Sequence, residues 1–185
     1  MPYYHCSPTA GLKILEPRKP VSFNKPQLVY MTTLLPMALM YGVRNFEYTY
    51  GYTDGQIHYD EYFPGSLEYL YKGKSASLYL CDPISVSSTQ IPNEVVSGEK
   101  VAIIRELEIP DVYEALLEQA RLGALKIRRY DELPEKALDW IRRAEANEIR
   151  EHDLMHNPGP RAEYMKQHYP ESWAIVEAEC SADNH

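Results

Sequence analysis

The feature that most narrows the fold is a change of hydrophobic period at Pro110. Before it, short runs of β-branched and aromatic residues alternate with Pro and Gly punctuation, the pattern of strands and turns. After it, apolar residues recur at three- and four-residue spacing, the pattern of helices. A strand-rich half followed by a helix-rich half predicts an α+β fold, with a mixed or antiparallel sheet, and argues against a βαβ array. The whole length of 185 residues suits one domain, expected over residues 1–185. Within it, residues 1–109 form the β-rich core and 110–185 a C-terminal helical extension.

The local signals can be placed along the chain. Tyr3-Tyr4-His5-Cys6-Ser7 reads as a short strand ended by Pro8, and Leu12 to Leu15 leads into the Pro17 and Pro20 loop. Gln27 to Thr32 is rich in β-formers, and Leu34 to Tyr41 then carries apolar residues at helical spacing, with Gly42 as its stop. From Phe46 to Phe63 aromatic and polar residues alternate around Thr53-Asp54-Gly55, where Asp-Gly predicts a tight hairpin. Ser77 to Cys81 and Val101 to Ile104 read as buried strands on either side of a polar loop from Ser85 to Asn93. Asp111 is placed to cap a helix whose face is Val112, Leu116, Leu117 and Ala120 and whose stop is Gly123. A second helix is expected from about Pro134 to Arg150, presenting Leu138, Ile141 and Ala144. Two weaker helical segments surround Tyr164 and Trp173, and the last residues are expected to fray.

Composition limits the function classes. A formal charge of −8 disfavours a general nucleic-acid binder, because neutralising phosphates needs clustered Lys and Arg. The run Lys126-Ile127-Arg128-Arg129 is too short to reverse that and reads as a solvated face. Cys6, Cys81 and Cys180 have no CxxC spacing and read as free thiols in a reducing compartment, so the cytoplasm is the expected location. Neither a signal peptide nor a membrane span is indicated. No GxGxxG, Walker or Gly-x-Ser-x-Gly motif occurs. His152 and His156 lie four apart near Glu148 and Asp153, but without HExxH spacing they read as a solvated helix end, and no metal is expected. The 16 tyrosines, against 3 Phe, suit both sheet edges and clefts that stack on planar ligands.

Three short segments, in order, carry a family resemblance. Tyr4-His5-Cys6-Ser7 resembles the His-Gly-Ser/Thr strand that opens the histidine-type ADP-ribosyltransferases, the class of poly-ADP-ribose polymerases and rifampin-modifying enzymes. Val29-Tyr30-Met31-Thr32 resembles that family's strand-ending tyrosine, and Tyr41 follows eleven residues on, the spacing of the polymerase branch. Pro92-Asn93-Glu94-Val95-Val96 resembles the start of the strand that delivers the family's catalytic glutamate.

The resemblance spans about residues 3–107 and implies the split-sheet fold of that family. It implies that NAD is the substrate and nicotinamide a product. His5 would bond a ribose hydroxyl; Cys6 and Ser7 would line the nicotinamide site; Tyr30 and Tyr41 would sandwich the cationic ring. Glu94, with His5 and Tyr30, would form the catalytic set, its carboxylate stabilising positive charge on the ribose as the glycosidic bond breaks. Three positions depart from the pattern: Cys6 stands for the usual Gly, Ala38 for a serine that bonds the nicotinamide amide, and Val95 for an aromatic residue.

The expected activity is ADP-ribosyl transfer to an unidentified acceptor, a protein or small molecule, with NAD hydrolysis as the variant in which water is the acceptor. Acceptor choice is expected from Thr49 to Gly65 and the helical tail. A related branch that transfers an RNA 2′-phosphate to NAD uses a set of arginines, and the sequence places none near His5, Tyr30 or Glu94. The rival reading is an inactive module of the same fold that binds NAD, or a partner protein through Tyr48, Tyr50, Tyr52, Tyr59 and Tyr62.

Overall fold

A computed structural model of the chain describes residues 2–18, 27–44 and 50–182. The fold is α+β. Its main sheet joins β1 (Tyr3–Ser7), β2 (Ile14–Leu15), β3 (Val29–Thr32), β6 (Ala76–Asp82), β7 (Ser87–Ser88), β8 (Glu94–Ser97) and β9 (Val101–Ile109). Their order is β2-β9-β6-β1-β3-β8-β7, and the registered pairs are antiparallel. A smaller sheet runs β10-β5-β4, from β4 (Tyr50–Thr53), β5 (Gln56–Asp60) and β10 (Lys126–Arg128). The helices are α1 (Leu35–Met40), α2 (Ser66–Tyr71), α3 (Val112–Arg121), α4 (Glu135–Glu151), α5 (Pro160–His168) and α6 (Pro170–Ala182). Among the described residues no helix is long and apolar enough to cross a membrane.

By contacts the chain forms two compact units, Met1–Tyr59 with Leu67–Ile127, and Asp60–Ser66 with Arg128–His185. Their boundary differs from the period change at Pro110, because α3 belongs to the first unit. Val112 and Leu116 of α3 are fully buried with Met37, Leu39 and Leu78 in one core of that unit. A second core there gathers Leu15, Val29, Met31, Tyr79, Cys81, Val95 and Val101. The other unit has its own core of Ile141, Ala146, Ile149, Met165, Tyr169 and Val176.

Local chemistry explains most boundaries. Asp54 and Gly55 both take positive φ (51° and 79°), as a two-residue hairpin turn between right-twisted strands requires. Asp111 caps α3 by accepting from the N–H groups of Tyr113 and Glu114, and Gly123 follows at φ 74°. The run at Lys126–Arg129 is no freely solvated face: Arg128 forms a two-pronged pair with Asp60, and Arg129 meets the buried Glu61 carboxylate at 2.8 Å. The loop expected from Ser85 to Asn93 contains β7, and α2 was not visible as a pattern. Phe46 to Thr49 and Pro20, parts of the expected hairpin and loop, lie outside the described residues, as does the expected frayed end at 183–185.

Candidate functional site

The site begins with an interruption in the main sheet. β1 pairs with β6 at every residue from Tyr3 to Ser7, and β3 pairs with β8 from Val29 to Thr32. Between β1 and β3, however, the register comprises the single pair Tyr4↔Thr32. The two strands part beyond it, and a hollow of about 340 Å³, some of it open to solvent, lies against them. β1 contributes Tyr4, His5 and Cys6 to its lining, and β3 contributes Tyr30, Met31 and Thr32. Met37 and Ala38 come from α1, Tyr41 from that helix's C-cap, and Glu94 from the first position of β8.

Five of the residues singled out in the sequence therefore border one hollow: His5, Cys6, Tyr30, Tyr41 and Glu94. Ser7 does not. Its hydroxyl accepts from the Thr9 N–H at 3.1 Å and organises the turn after β1.

His5 closes part of the gap in the ladder. Its Nδ1 lies 3.0 Å from the Tyr30 carbonyl oxygen. A carbonyl can only accept, so Nδ1 carries the proton and the neutral ring presents a lone pair at Nε2. Burial holds the His5 imidazole below its ordinary pKa; the bond to Tyr30 opposes this, and the positive charge of Arg18 adds to it. Arg18 thus acts on the site although the sequence places no arginine nearby. A backbone bridge between Arg18 and Leu28, 3.2 Å in both directions, sets it two positions before Tyr30.

Strand alternation separates the remaining groups by face. Thr32 stands opposite both Tyr4 and Glu94, so these three, with Cys6 and Tyr30 two positions along, share one face. His5 stands opposite Tyr79, on the other face, and its ring lies 6.4 Å from the Tyr79 ring. No hydrogen bond joins His5 to Glu94. The imidazole meets the Tyr30 carbonyl and borders the same hollow as Glu94.

Glu94 is 8% exposed. Its Oε1 accepts from the Thr89 hydroxyl at 2.8 Å, and among the described residues no Lys, Arg or His pairs with it. The turn before it is built by Asn93 at φ 65°, whose carbonyl accepts from the Thr33 N–H at 3.0 Å. Tyr52 braces the same turn: its hydroxyl donates to the Pro92 carbonyl at 2.8 Å, and the Asn93 amide reaches that hydroxyl at 3.5 Å. Burial pushes the Tyr52 phenol up; the Asn93 amide opposes this, and the Glu94 charge adds to it.

Tyr41 and Tyr50 share a hydroxyl contact of 2.9 Å, their rings edge to face at 6.2 Å. Tyr50 and Tyr52 are thus half-buried supports of the site. Tyr59 is fully buried, edge-on to Tyr71. Tyr59 is therefore removed from the tyrosine-rich surface read in the sequence, and Tyr48 lies outside the described residues.

Cys6 turns its side chain into the core, where the Cβ of any residue larger than glycine at position 42 would stand 2.9 Å from Cys6 Sγ. Burial pushes both the Cys6 and Cys81 thiols up to about 12, so neither is a thiolate nucleophile near neutrality. His152 contacts Glu148 at 3.5 Å and His156 contacts Asp153 at 2.7 Å. Among the described residues no group of three His, Cys, Asp or Glu side chains is placed to hold a metal ion.

Sequence reasoning missed Thr89 and Arg18, and it named Tyr52 only in a partner surface and Asn93 only as the motif neighbour of Glu94, without their bracing of the turn. Thr89 carries a weak local signal, since Ser and Thr hydroxyls cap their own turns, but the others reach the site through pairings remote in sequence. No family model, no curated protein and no solved structure matches the chain.

Proposed function

We propose that the chain binds NAD in this hollow, cleaves the bond between nicotinamide and ribose, and transfers ADP-ribose to an acceptor. The observation that carries the reading is Glu94: a buried carboxylate without a cationic partner among the described residues, bordering a hollow that Tyr30 and Tyr41 also border. A buried charge is costly without compensation, so such a hollow favours a cation. The nicotinamide ring of NAD is a cation with two aromatic faces, and Tyr30 and Tyr41 offer it phenol rings.

The chemistry then follows from charge. The bond between ribose C1′ and the nicotinamide nitrogen breaks, and its electron pair leaves with the ring, which becomes neutral. Positive charge moves to the ribose, where the free Glu94 oxygen stabilises it. The acceptor attacks C1′ and gives up a proton; when water attacks, the product is free ADP-ribose. His5 offers Nε2 to a ribose hydroxyl. Cys6 adds backbone lining, its thiol being turned away, and Ala38 offers no hydrogen bond to the amide.

The test pairs NAD-dependent thermal stabilisation with nicotinamide release in the parent and in Glu94→Gln. The parent is expected to be stabilised and to release nicotinamide. The variant should keep the stabilisation and lose release by about 10²-fold or more. A parent that NAD does not stabilise defeats the reading. The second reading, a site that binds NAD without turnover, is favoured by the origin of His5 on the face opposite Glu94; stabilisation without release in the parent would establish it.

A further inference from the structure

We infer that Thr89 is the positioning residue of Glu94: its hydroxyl fixes Oε1 and leaves Oε2 as the working oxygen. The catalytic consequence rests on the function proposed above; the geometry does not. Thr89 Oγ1 accepts the Ile91 N–H at 3.0 Å, so its single proton must point elsewhere. Two acceptors are in reach, the Ile91 carbonyl at 3.4 Å and Glu94 Oε1 at 2.8 Å. The shorter contact, to the carboxylate oxygen, takes the proton. The Ile91 N–H thus aims the hydroxyl at the carboxylate.

The backbone supports the same arrangement. The Thr89 N–H donates to the Glu94 carbonyl at 3.3 Å, and the Glu94 N–H donates to the Ile91 carbonyl at 3.2 Å. Residues 89–94 therefore close on themselves, and the side-chain bond is a third tie across the same loop. Among the described residues Thr89 is the sole hydrogen-bond donor to the Glu94 carboxylate, and Oε2 has no partner. Among the described residues that hydroxyl makes the one hydrogen bond that sets the rotation of the carboxylate about its last bond.

The test uses Thr89→Val, which keeps the shape and removes the hydroxyl, Thr89→Ser, which restores it, and Thr89→Ala should the valine variant fail to fold. In nicotinamide release, Thr89→Val is expected to lower kcat about 10- to 100-fold with KM for NAD within about twofold, and Thr89→Ser to recover most of it. A valine variant with the parent's kcat, or a serine variant as impaired as valine, overturns the inference. Crystal structures of the parent and Thr89→Val decide the point independently of turnover: the Glu94 carboxylate should leave its parental orientation, and an unmoved carboxylate overturns the inference. A parent without turnover would instead defeat the proposed activity, leaving the carboxylate's orientation to be judged from those two structures.

Discussion

His5 shows how one side chain can replace a stretch of backbone ladder. Where β1 and β3 part, the Tyr30 carbonyl takes its hydrogen bond from His5 Nδ1, and burial keeps the imidazole neutral. The linkage has a definite sign. The folded imidazole titrates below the ordinary value of 6.5, so between the two values the unfolded chain binds more protons. The stabilisation is complete above that ordinary value and is lost as pH falls through the folded one. His168, lowered by burial, acts in the same direction. Nitrogen-detected NMR of the His5 ring should report a proton on Nδ1 and a midpoint below 6.5; a proton on Nε2, or a midpoint at or above that value, would refute the assignment. Thr89 and Glu94 repeat the principle, a polar group placed by what it bonds to.

At the scale of elements, α1 is short and unusually constrained. It begins after Thr32, whose hydroxyl accepts the Leu34 N–H at 3.0 Å, and carries Pro36 in its first turn. It ends at Tyr41 and Gly42, where close approach sets the sequence. A Cβ at Gly42 would stand 2.9 Å from Cys6 Sγ and 3.0 Å from both Ala76 Cβ and the Leu39 carbonyl. Gly42→Ala is therefore expected to cost about 1–3 kcal/mol by denaturant unfolding. Adding Cys6→Ala should return part of that loss, since two of the three close contacts remain; full recovery would contradict the packing. Capping gives a milder effect. Asp111 accepts from Tyr113, Glu114 and, at 2.9 Å, the Gly73 N–H, so Asp111→Ala should cost about 1–2 kcal/mol in the same measurement. A variant as stable as the parent would show the cap to be dispensable.

For the whole molecule, the two compact units are each stabilised by their own apolar core. Ile149 is completely buried in the helical unit, and Ile149→Ala should cost about 2–5 kcal/mol, read as earlier loss of helical circular dichroism in denaturant. An unchanged midpoint would place Ile149 outside the cooperative core. Charge pairs link elements within that unit: Arg150 meets Glu179 at 2.7 Å, joining α4 to α6, and Arg142 also pairs with Glu171. Such exposed pairs each contribute little, so the apolar core carries the larger share.

The sequence by itself determined what depends on neighbours along the chain. The Asp54-Gly55 hairpin, the Asp111 cap, the Gly123 stop and the strand at Tyr3–Ser7 each rest on two to five consecutive residues whose allowed backbone angles and period act alone. The ordered trio of His5, Tyr30 with Tyr41, and Glu94 was legible as a pattern, and those residues border one hollow. Tertiary structure alone decided the parting of β1 from β3, the opposite faces of His5 and Glu94, the burial of Tyr59, the approach of Arg18, and the bond from Thr89. Each of these depends on strand register or loop closure, and a shift of one residue in register turns every side chain of a strand to the other face without altering its local sequence.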